Sequence, residues 1–410
     1  MPGLQGFSTP TVSVVTAHGR QSLAVQPGER LIDCLNRNRV PWSAVSIYVV
    51  PRGGGEPTIA ACLDTVLSQY HEASEILLYF NRNVNPFKFM IDDLTTVPVV
   101  SGSAEATEYI YQRMDNEHGT ADAFLKKLSP EECQQVIAAR VRDTIAATVE
   151  PGSRIVVGIS GGGDSNAMLY GLSQLREDLD IQIDPIILMG IPDWDAGVPR
   201  AKELCTRYGL ELTVLEETSV KELLDIPADS SSLIDRFERE FAGDDFEFMG
   251  TLLIRLALIR RAQQVGTPYI CTGLNLEDVL CEALFRASSG LKPNAAPARP
   301  IGDVTLLFPL WLCPKRIIDG CFPKYSLDNY DARYPCFSLG RNLYYSMVYT
   351  LQSQYPGAIE TLTKGMAELG TREPADYVYN EALGFHVERD VPLPLLRKFQ
   401  RMLGRSSALS

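Results

Sequence analysis

Several things are missing from this 410-residue chain, and each absence closes off a class of protein. No apolar run approaches the roughly 20 residues that span a bilayer, and the opening MPGLQGFSTP lacks the basic-then-apolar order of a secretory leader, so a cytoplasmic location without membrane partners is expected. Nine cysteines are present, an odd number, and no two stand in C-x-x-C spacing, which argues against a zinc ribbon or a disulfide framework and leaves most of them as core residues. Positive charge is scarce: 38 Lys and Arg face 51 Asp and Glu, a formal net charge of −13, which disfavours a broad phosphate-binding surface while leaving room for one local basic groove. What remains is a chain of ordinary apolar (45%) and charged (22%) content, long enough for two or three domains with sizeable cores.

The most informative stretch is RIVVGISGGGDSNAMLYGLSQLR, residues 154–176. Ile155 to Ile159 is β-branched, as a buried parallel strand should be, and Met168, Leu169, Leu172 and Leu175 fall on one helical stripe. Between them lie Ser160, Gly161, Gly162, Gly163, Asp164 and Ser165. The glycines let the backbone turn tightly and bring its N–H groups to an anion, and the following helix N-terminus adds orphan donors and positive dipole. Ser160 and Ser165 can donate to phosphate oxygens. A carboxylate beside phosphate is repulsive unless a divalent cation bridges them, so Asp164 implies Mg²⁺. The segment lacks the Gly-Lys-Ser/Thr ending of a Walker A loop and matches S-G-G-x-D-S instead, by which the chain resembles the PP-loop ATP pyrophosphatase superfamily. That resemblance implies ATP as cofactor, cleaved between the α and β phosphates to give an adenylated substrate and pyrophosphate.

Three regions follow along the chain. TVSVVTA and QSLAVQP predict a hairpin around His18-Gly19-Arg20, GERLIDCLNRNRV a helix, and SIYVV and EILLYF further strands. Topologically this set resembles a ubiquitin-like β-grasp domain over residues 1–100, serving docking or homodimerisation; a sulfur carrier would need a free C-terminal Gly-Gly, and here the chain continues. Residues 101–150 are expected to hold a polar linker and the helix Pro130 to Val149. Residues 151–345 alternate strands (Arg154 to Ile159, Ile183 to Met189, Glu211 to Leu215, Tyr269 to Gly273) with helices (Val198 to Tyr208, Gly250 to Val265), the pattern of a doubly wound parallel α/β sheet, and 346–410 are expected as a helical extension. Ligands in such sheets gather at the C-terminal strand ends, which places Leu188 and Met189 beside the Ser160 loop, either as an adenine slot or simply as core.

A second constellation, Cys271-Thr-Gly-Leu-Asn-Leu-Glu-Asp278, follows the strand TPYI and is similar to the G-H-N-L-D-D pattern of the tRNA thiolation branch and, more loosely, to the tRNA lysidine synthetases. Gly273 and Asp278 match positions that line the ATP site there, Asp278 holding metal or water opposite Asp164, or else acting as a helix N-terminal charge. Arg299-Pro300, Phe308-Pro309-Leu310, Tyr334-Pro335-Cys336-Phe337-Ser338 and Gln354-Tyr355-Pro356-Gly357 extend the likeness over about 150–365. Arg255 falls near a cation that touches phosphate in that family, or else forms a buried salt bridge. The branch carries a C-x-x-C pair before the Arg255 helix; this chain reads DDFEFMGTLLIR there, with only Cys336 surviving of three cluster ligands, which argues against an iron–sulfur cluster. Cys336 is then a structural thiol, or a reactive one activated by Arg333 or Arg341.

The reading that results is an adenylating enzyme, a ligase or transferase using Asp164, Asp278 and Arg255. It activates a carboxylate, amide or carbonyl oxygen of a small-molecule or carrier-bound substrate for attack by nitrogen or sulfur. A tRNA-modifying enzyme is the alternative, with tRNA the less favoured partner, and a non-catalytic nucleotide sensor a second alternative.

Overall fold

The computed structural model of the chain describes residues 9–16, 19–59, 63–80, 103–104, 107–113, 122–241, 244–322, 325, 339–355 and 357–405. Near the N-terminus, Thr11–Thr16 (β1) and Gly19–Leu23 (β2) pair antiparallel with Val12 opposite Leu23, as the two runs predict. Helix Leu31–Arg37 (α1) buries Leu31, Cys34 and Leu35, one apolar face at i, i+3, i+4. Val45–Pro51 (β3), Thr58–Ile59 (β4), Ala73–Phe80 (β5) and Ser103–Ala104 (β6) complete a sheet of order β2-β1-β5-β3-β4-β6. In it β5 runs parallel to β1 and antiparallel to β3.

The stretch expected as a linker holds paired strands instead. Thr107–Arg113 (β7) runs antiparallel to Asp122–Leu128 (β8), Tyr109 opposite Lys126 and Tyr111 opposite Phe124. Aromatic and β-branched residues favour a pleated ladder even where their neighbours are polar, and it was those neighbours that read as loop. Helix Pro130–Ala146 (α2) then starts on a capping box: the Ser129 hydroxyl accepts the Glu132 N–H and the Glu132 carboxylate accepts the Ser129 N–H, with Pro130 at the first turn.

The second sheet positions the site. It contains Arg154–Gly158 (β9), Gln182–Leu188 (β10), Thr213–Leu215 (β11), Tyr269–Thr272 (β12), Ala298–Ile301 (β13) and Val304–Leu307 (β14), in the order β11-β10-β9-β12-β14-β13. Five strands are parallel, and only β13 is antiparallel, at the edge. Ile155 and Val157 of β9 face one core, with Ile137 and Val141 of α2 and with Met168 and Leu169 of helix Gly163–Ser173 (α3). Val156 faces the other, with Leu253, Leu256 and Leu258 of helix Asp244–Val265 (α7). A strand covered on both faces has no polar alternation, which is why the run reads as continuously apolar. From β9 the chain winds outward through β10 and β11, then returns to the other side of β9 as β12, so the switch point of the sheet lies between the C-terminal ends of β9 and β12.

Helix Pro192–Arg207 (α4) begins six residues before the expected Val198, because Pro192 occupies the first turn, where no backbone donor is needed, and Pro199 is absorbed inside the helix. Glu217–Leu223 (α5), Leu233–Glu240 (α6), Leu276–Ser288 (α8), Lys315–Cys321 (α9) and Leu339–Gln354 (α10) follow, the last crossing the expected boundary at 345. The expected helical extension holds Ala358–Arg372 (α11) and Leu393–Met402 (α12), but between them Tyr377–Asn380 (β15) and Phe385–Glu388 (β16) form a hairpin. Gly384, at φ +73°, supplies the left-handed residue that turn needs. Among the described residues no helix is long and apolar enough to cross a membrane.

Candidate nucleotide site

The Ser160–Ser165 loop leaves β9 and enters α3 in a conformation its residues enforce. Gly161 has φ +76°, and a Cβ there would lie 2.7 Å from the Gly197 carbonyl oxygen and 2.8 Å from Arg200 Cβ, so α4 seals one side of the loop by direct backbone approach. The Ser165 hydroxyl accepts the Ser160 N–H at 2.8 Å and lies 3.2 Å from the Ser160 hydroxyl. Ser165 is therefore part of what holds the loop, while Ser160 is exposed at its rim. Gly162 caps α3 and Gly163 opens it, so the first-turn N–H groups face the loop as the sequence predicts.

Asp164, in that first turn, is paired with a residue the sequence reading passed over. The Lys315 ammonium donates to its Oδ1 at 3.0 Å and lies 3.5 Å from Asp319 Oδ1. Lys315 and Asp319 are almost sealed, their side chains 8% and 3% exposed, whereas Asp164 is 28% exposed and opens to solvent. The match to Phe308-Pro309-Leu310 stopped five residues short of Lys315. A signal was there: the loop after β14 must come back to the C-terminal edge of the sheet, and its first helical residue is a cation.

Gly273, after β12, brings the second loop to the first. A Cβ on Gly273 would touch the Asp164 carbonyl group and Met168 Cε at 3.6 Å. Asp278 does not stand opposite Asp164 with its carboxylate open. Its Oδ2 accepts the Asn275 N–H at 3.1 Å, its own N–H donates to Asn275 Oδ1 at 3.0 Å, and its Oδ1 accepts the Tyr345 hydroxyl at 2.7 Å, all at 2% exposure. This is a capping box at the start of α8, with both carboxylate oxygens occupied. Its neighbour Glu277 accepts the Lys315 N–H at 3.0 Å, and burial pushes its carboxyl up to about 8.

The backbone donors next to the expected adenine slot are engaged within the protein. Leu188 ends β10 in the core, the Met189 N–H donates to the Leu215 carbonyl at 2.9 Å, and the Gly190 N–H donates to Asp195 Oδ1 at 2.8 Å. Neither N–H at 189 or 190 is left for a base edge. Arg255 lines a cavity of about 50 Å³ with Leu252, Glu282, Arg286 and His386, formed by α7, α8 and the C-terminal hairpin, rather than the Ser160 loop. Arg255 lies one turn of α7 before Leu258, the residue that packs on Gly158, and its side chain lines the cavity beside Glu282 and Arg286 of α8.

Six of the seven described thiols are shifted away from thiolate character. Burial pushes Cys34 and Cys205 up to about 11 and Cys133 and Cys313 up to about 12, and raises Cys271 and Cys321 further. Cys336 and Arg333 lie outside the described residues, as does the side chain of Arg341. Among the described residues no three His, Cys, Asp or Glu side chains assemble as a metal set.

No family model matches the chain. It is similar to the tRNA-cytidine(32) 2-sulfurtransferase of Haemophilus influenzae (strain 86-028NP), 25% identical over 235 residues that cover 54% of this chain and 69% of that one. The Actinobacillus pleuropneumoniae serotype 5b (strain L20) protein of that name is 26% identical over 235 residues, covering 54% and 67%. In fold it matches the U34-tRNA thiolase NcsA from Methanococcus maripaludis, solved with its [4Fe-4S] cluster, at a TM-score of 0.51 and 17% identity over 66% of this chain and 89% of that one. Loop, sheet and relatives together place the chain beside the PP-loop ATP pyrophosphatases, as an enzyme of transferase or ligase type. Within that superfamily the chain is similar to the tRNA thiolation branch, without a C-x-x-C pair in residues 244–255, the stretch that opens α7. The expectation that no iron–sulfur cluster belongs here is overturned: a thiolase of the same fold carries one, so counting cysteines against a single spacing was not sufficient ground to exclude it.

Proposed function

We propose that this chain uses ATP to activate a carbonyl oxygen of a tRNA base for replacement by sulfur. The base oxygen attacks the α phosphorus and pyrophosphate leaves; a sulfur nucleophile then adds to the activated carbon, and AMP departs with the former carbonyl oxygen. The observation that carries the ATP half is the Ser160–Ser165 loop, with its left-handed Gly161 and the α3 N-terminus, at the switch point of a parallel sheet. The tRNA half is supported by the two sulfurtransferase relatives, and it displaces the small-molecule reading to second place. That second reading keeps one specific observation in its favour, the net charge of −13.

In this proposal the loop N–H groups and the Ser160 hydroxyl bind phosphate, and Gly273 lets ribose or α phosphate approach closely. Asp164 is the carboxylate that fits Mg²⁺. It reaches solvent, and magnesium commonly takes one or two carboxylates and completes its shell with phosphate oxygens and water. Bound there, the ion would neutralise charge on the phosphates. Asp278 fits a structural role, holding α8 and Tyr345 behind the site. Burial raises the thiols of Cys133 and Cys313, which disfavours them as the sulfur nucleophile. We assign the sheet of β1 to β6 to a β-grasp module on the ground of its strand order, with the last long strand parallel to the first.

The test is to incubate the protein with α-labelled ATP, a sulfur donor and tRNA from cells lacking its gene. AMP, pyrophosphate and a new thionucleoside, seen by mass spectrometry of digested tRNA, are expected. Stoichiometric ADP and phosphate would overturn the ATP chemistry, while AMP that forms with a small carboxylate or amide and not with tRNA would hand the reaction to the second reading.

A further inference from the structure

Helix α9 touches both halves of the molecule. At its first residue Lys315 pairs with Asp164 of the nucleotide loop at 3.0 Å; one turn on, Asp319 lies 3.5 Å from the same ammonium. Asp319 Oδ2 in turn accepts the Ser46 hydroxyl from β3 of the N-terminal sheet at 2.5 Å, a buried contact between residues 273 apart in sequence. The same end of that sheet holds its neighbours: the Arg316 guanidinium lies over the Trp42 ring at 5.7 Å, and the Ser43 hydroxyl donates to the Tyr349 carbonyl at 3.0 Å. Tyr349 is one turn from Tyr345, the residue that holds Asp278. Both loops at the switch point are therefore backed by helices that the N-terminal sheet grips.

Burying an ammonium is costly unless opposite charge and hydrogen bonds surround it, and Lys315 has two carboxylates within reach. They are not equivalent. Asp319 is sealed and anchored from behind by Ser46, whereas Asp164 opens to the crevice, so the pair holds the ammonium at the inner wall of the phosphate site. A phosphate arriving at the loop brings negative charge next to Asp164, and the cation already poised there is Lys315, whose three donors can bridge a carboxylate and a phosphate oxygen.

We infer that Lys315 is a phosphate-binding residue of the nucleotide site and that Asp319 and Ser46 are its positioning residues, so that the N-terminal sheet completes the site from within the same chain. This rests on the proposed reading of the Ser160 loop as an ATP site.

The experiment measures the affinity of the full chain for ATP and for adenosine, by titration and by displacement of a fluorescent ATP analogue, in wild type, Lys315→Met, Lys315→Arg, Ser46→Ala and Ser46→Thr. Loss of a charged hydrogen bond to phosphate should weaken ATP binding by roughly tenfold or more in Lys315→Met while leaving adenosine unchanged, with Lys315→Arg retaining most of the difference. Ser46→Ala should weaken ATP by roughly three- to tenfold, again sparing adenosine, and Ser46→Thr, which keeps the hydroxyl, should restore it. An unchanged ATP-to-adenosine ratio in Lys315→Met, or a parallel loss of both ligands, would overturn the inference. Should Lys315→Met fail to fold, the Ser46 pair decides alone: a ratio indifferent to Ala or Thr overturns it. Wild type that binds no ATP sinks the nucleotide reading itself, a distinct failure.

Discussion

The loops that follow β9 and β12 are built from the same parts: a strand end, a glycine, and a carboxylate in the first turn of a helix. They use the carboxylate differently. In the β9 loop no cap consumes Asp164; it faces solvent and holds a lysine from another element. In the β12 loop Asp278 closes a capping box and accepts a tyrosine hydroxyl, so each of its carboxylate oxygens already holds an internal hydrogen bond. Two acidic residues of equal promise in sequence thus divide into one that opens to solvent and one that is spent on the frame. A carboxylate at a helix start is equally suited to capping and to ligand chemistry, and which occurs depends on whether its neighbours satisfy it first.

The sharpest way to break this contrast is at Asp164. Asp164→Asn keeps the shape and removes the charge, so substrate-dependent pyrophosphate release should fall by at least roughly a hundredfold with little change in melting temperature. Equal release by variant and wild type would place Asp164 with Asp278 as a structural residue.

Gly161→Ala attacks the β9 loop through its backbone. A φ of +76° and a methyl pressed onto the Gly197 carbonyl should cost about 1–3 kcal/mol and depress nucleotide affinity, measured by denaturant melts and titration. Retention of both would mean that α4 does not pack on the loop as described.

Glu277 sharpens the picture of the second loop. Its carboxyl moves from 4.5 to about 8 on folding, chiefly by burial, so the folded chain holds a proton that the unfolded chain has released. Its contribution is intact below about 4.5, declines as pH rises toward about 8, and is flat beyond. Stability measured by urea melts should therefore decline over that window. Glu277→Gln, which still offers an oxygen to the Lys315 N–H, should remove that decline, on the order of a few kcal/mol at the alkaline end. Identical pH profiles would refute a buried carboxyl at this position.

The smallest effect is expected for Tyr345→Phe, which removes one hydrogen bond to Asp278 and should cost about 1 kcal/mol while sparing the pyrophosphate rate per folded molecule. A large loss of rate with stability intact would move Asp278 back into the chemistry.

The chain by itself determined the strand Arg154–Gly158, the glycine turn, helix α3 and most of the parallel sheet, because each is a local matter: β-branched runs, a residue that accepts positive φ, and an apolar stripe at helical spacing. It also announced the capping box at Asn275, although the pattern was read first as a ligand set. Only the tertiary structure decided the rest. Lys315 reaches Asp164 across 151 positions and Ser46 reaches Asp319 across 273, while Arg255 lines a cavity with Glu282 and Arg286 of α8. The hairpin of β7 and β8 emerges from a polar stretch because its partner strand supplies the ladder. Charge pairing and burial depend on which distant surfaces are pressed together, and that information is carried by the packed chain as a whole rather than by any window of it.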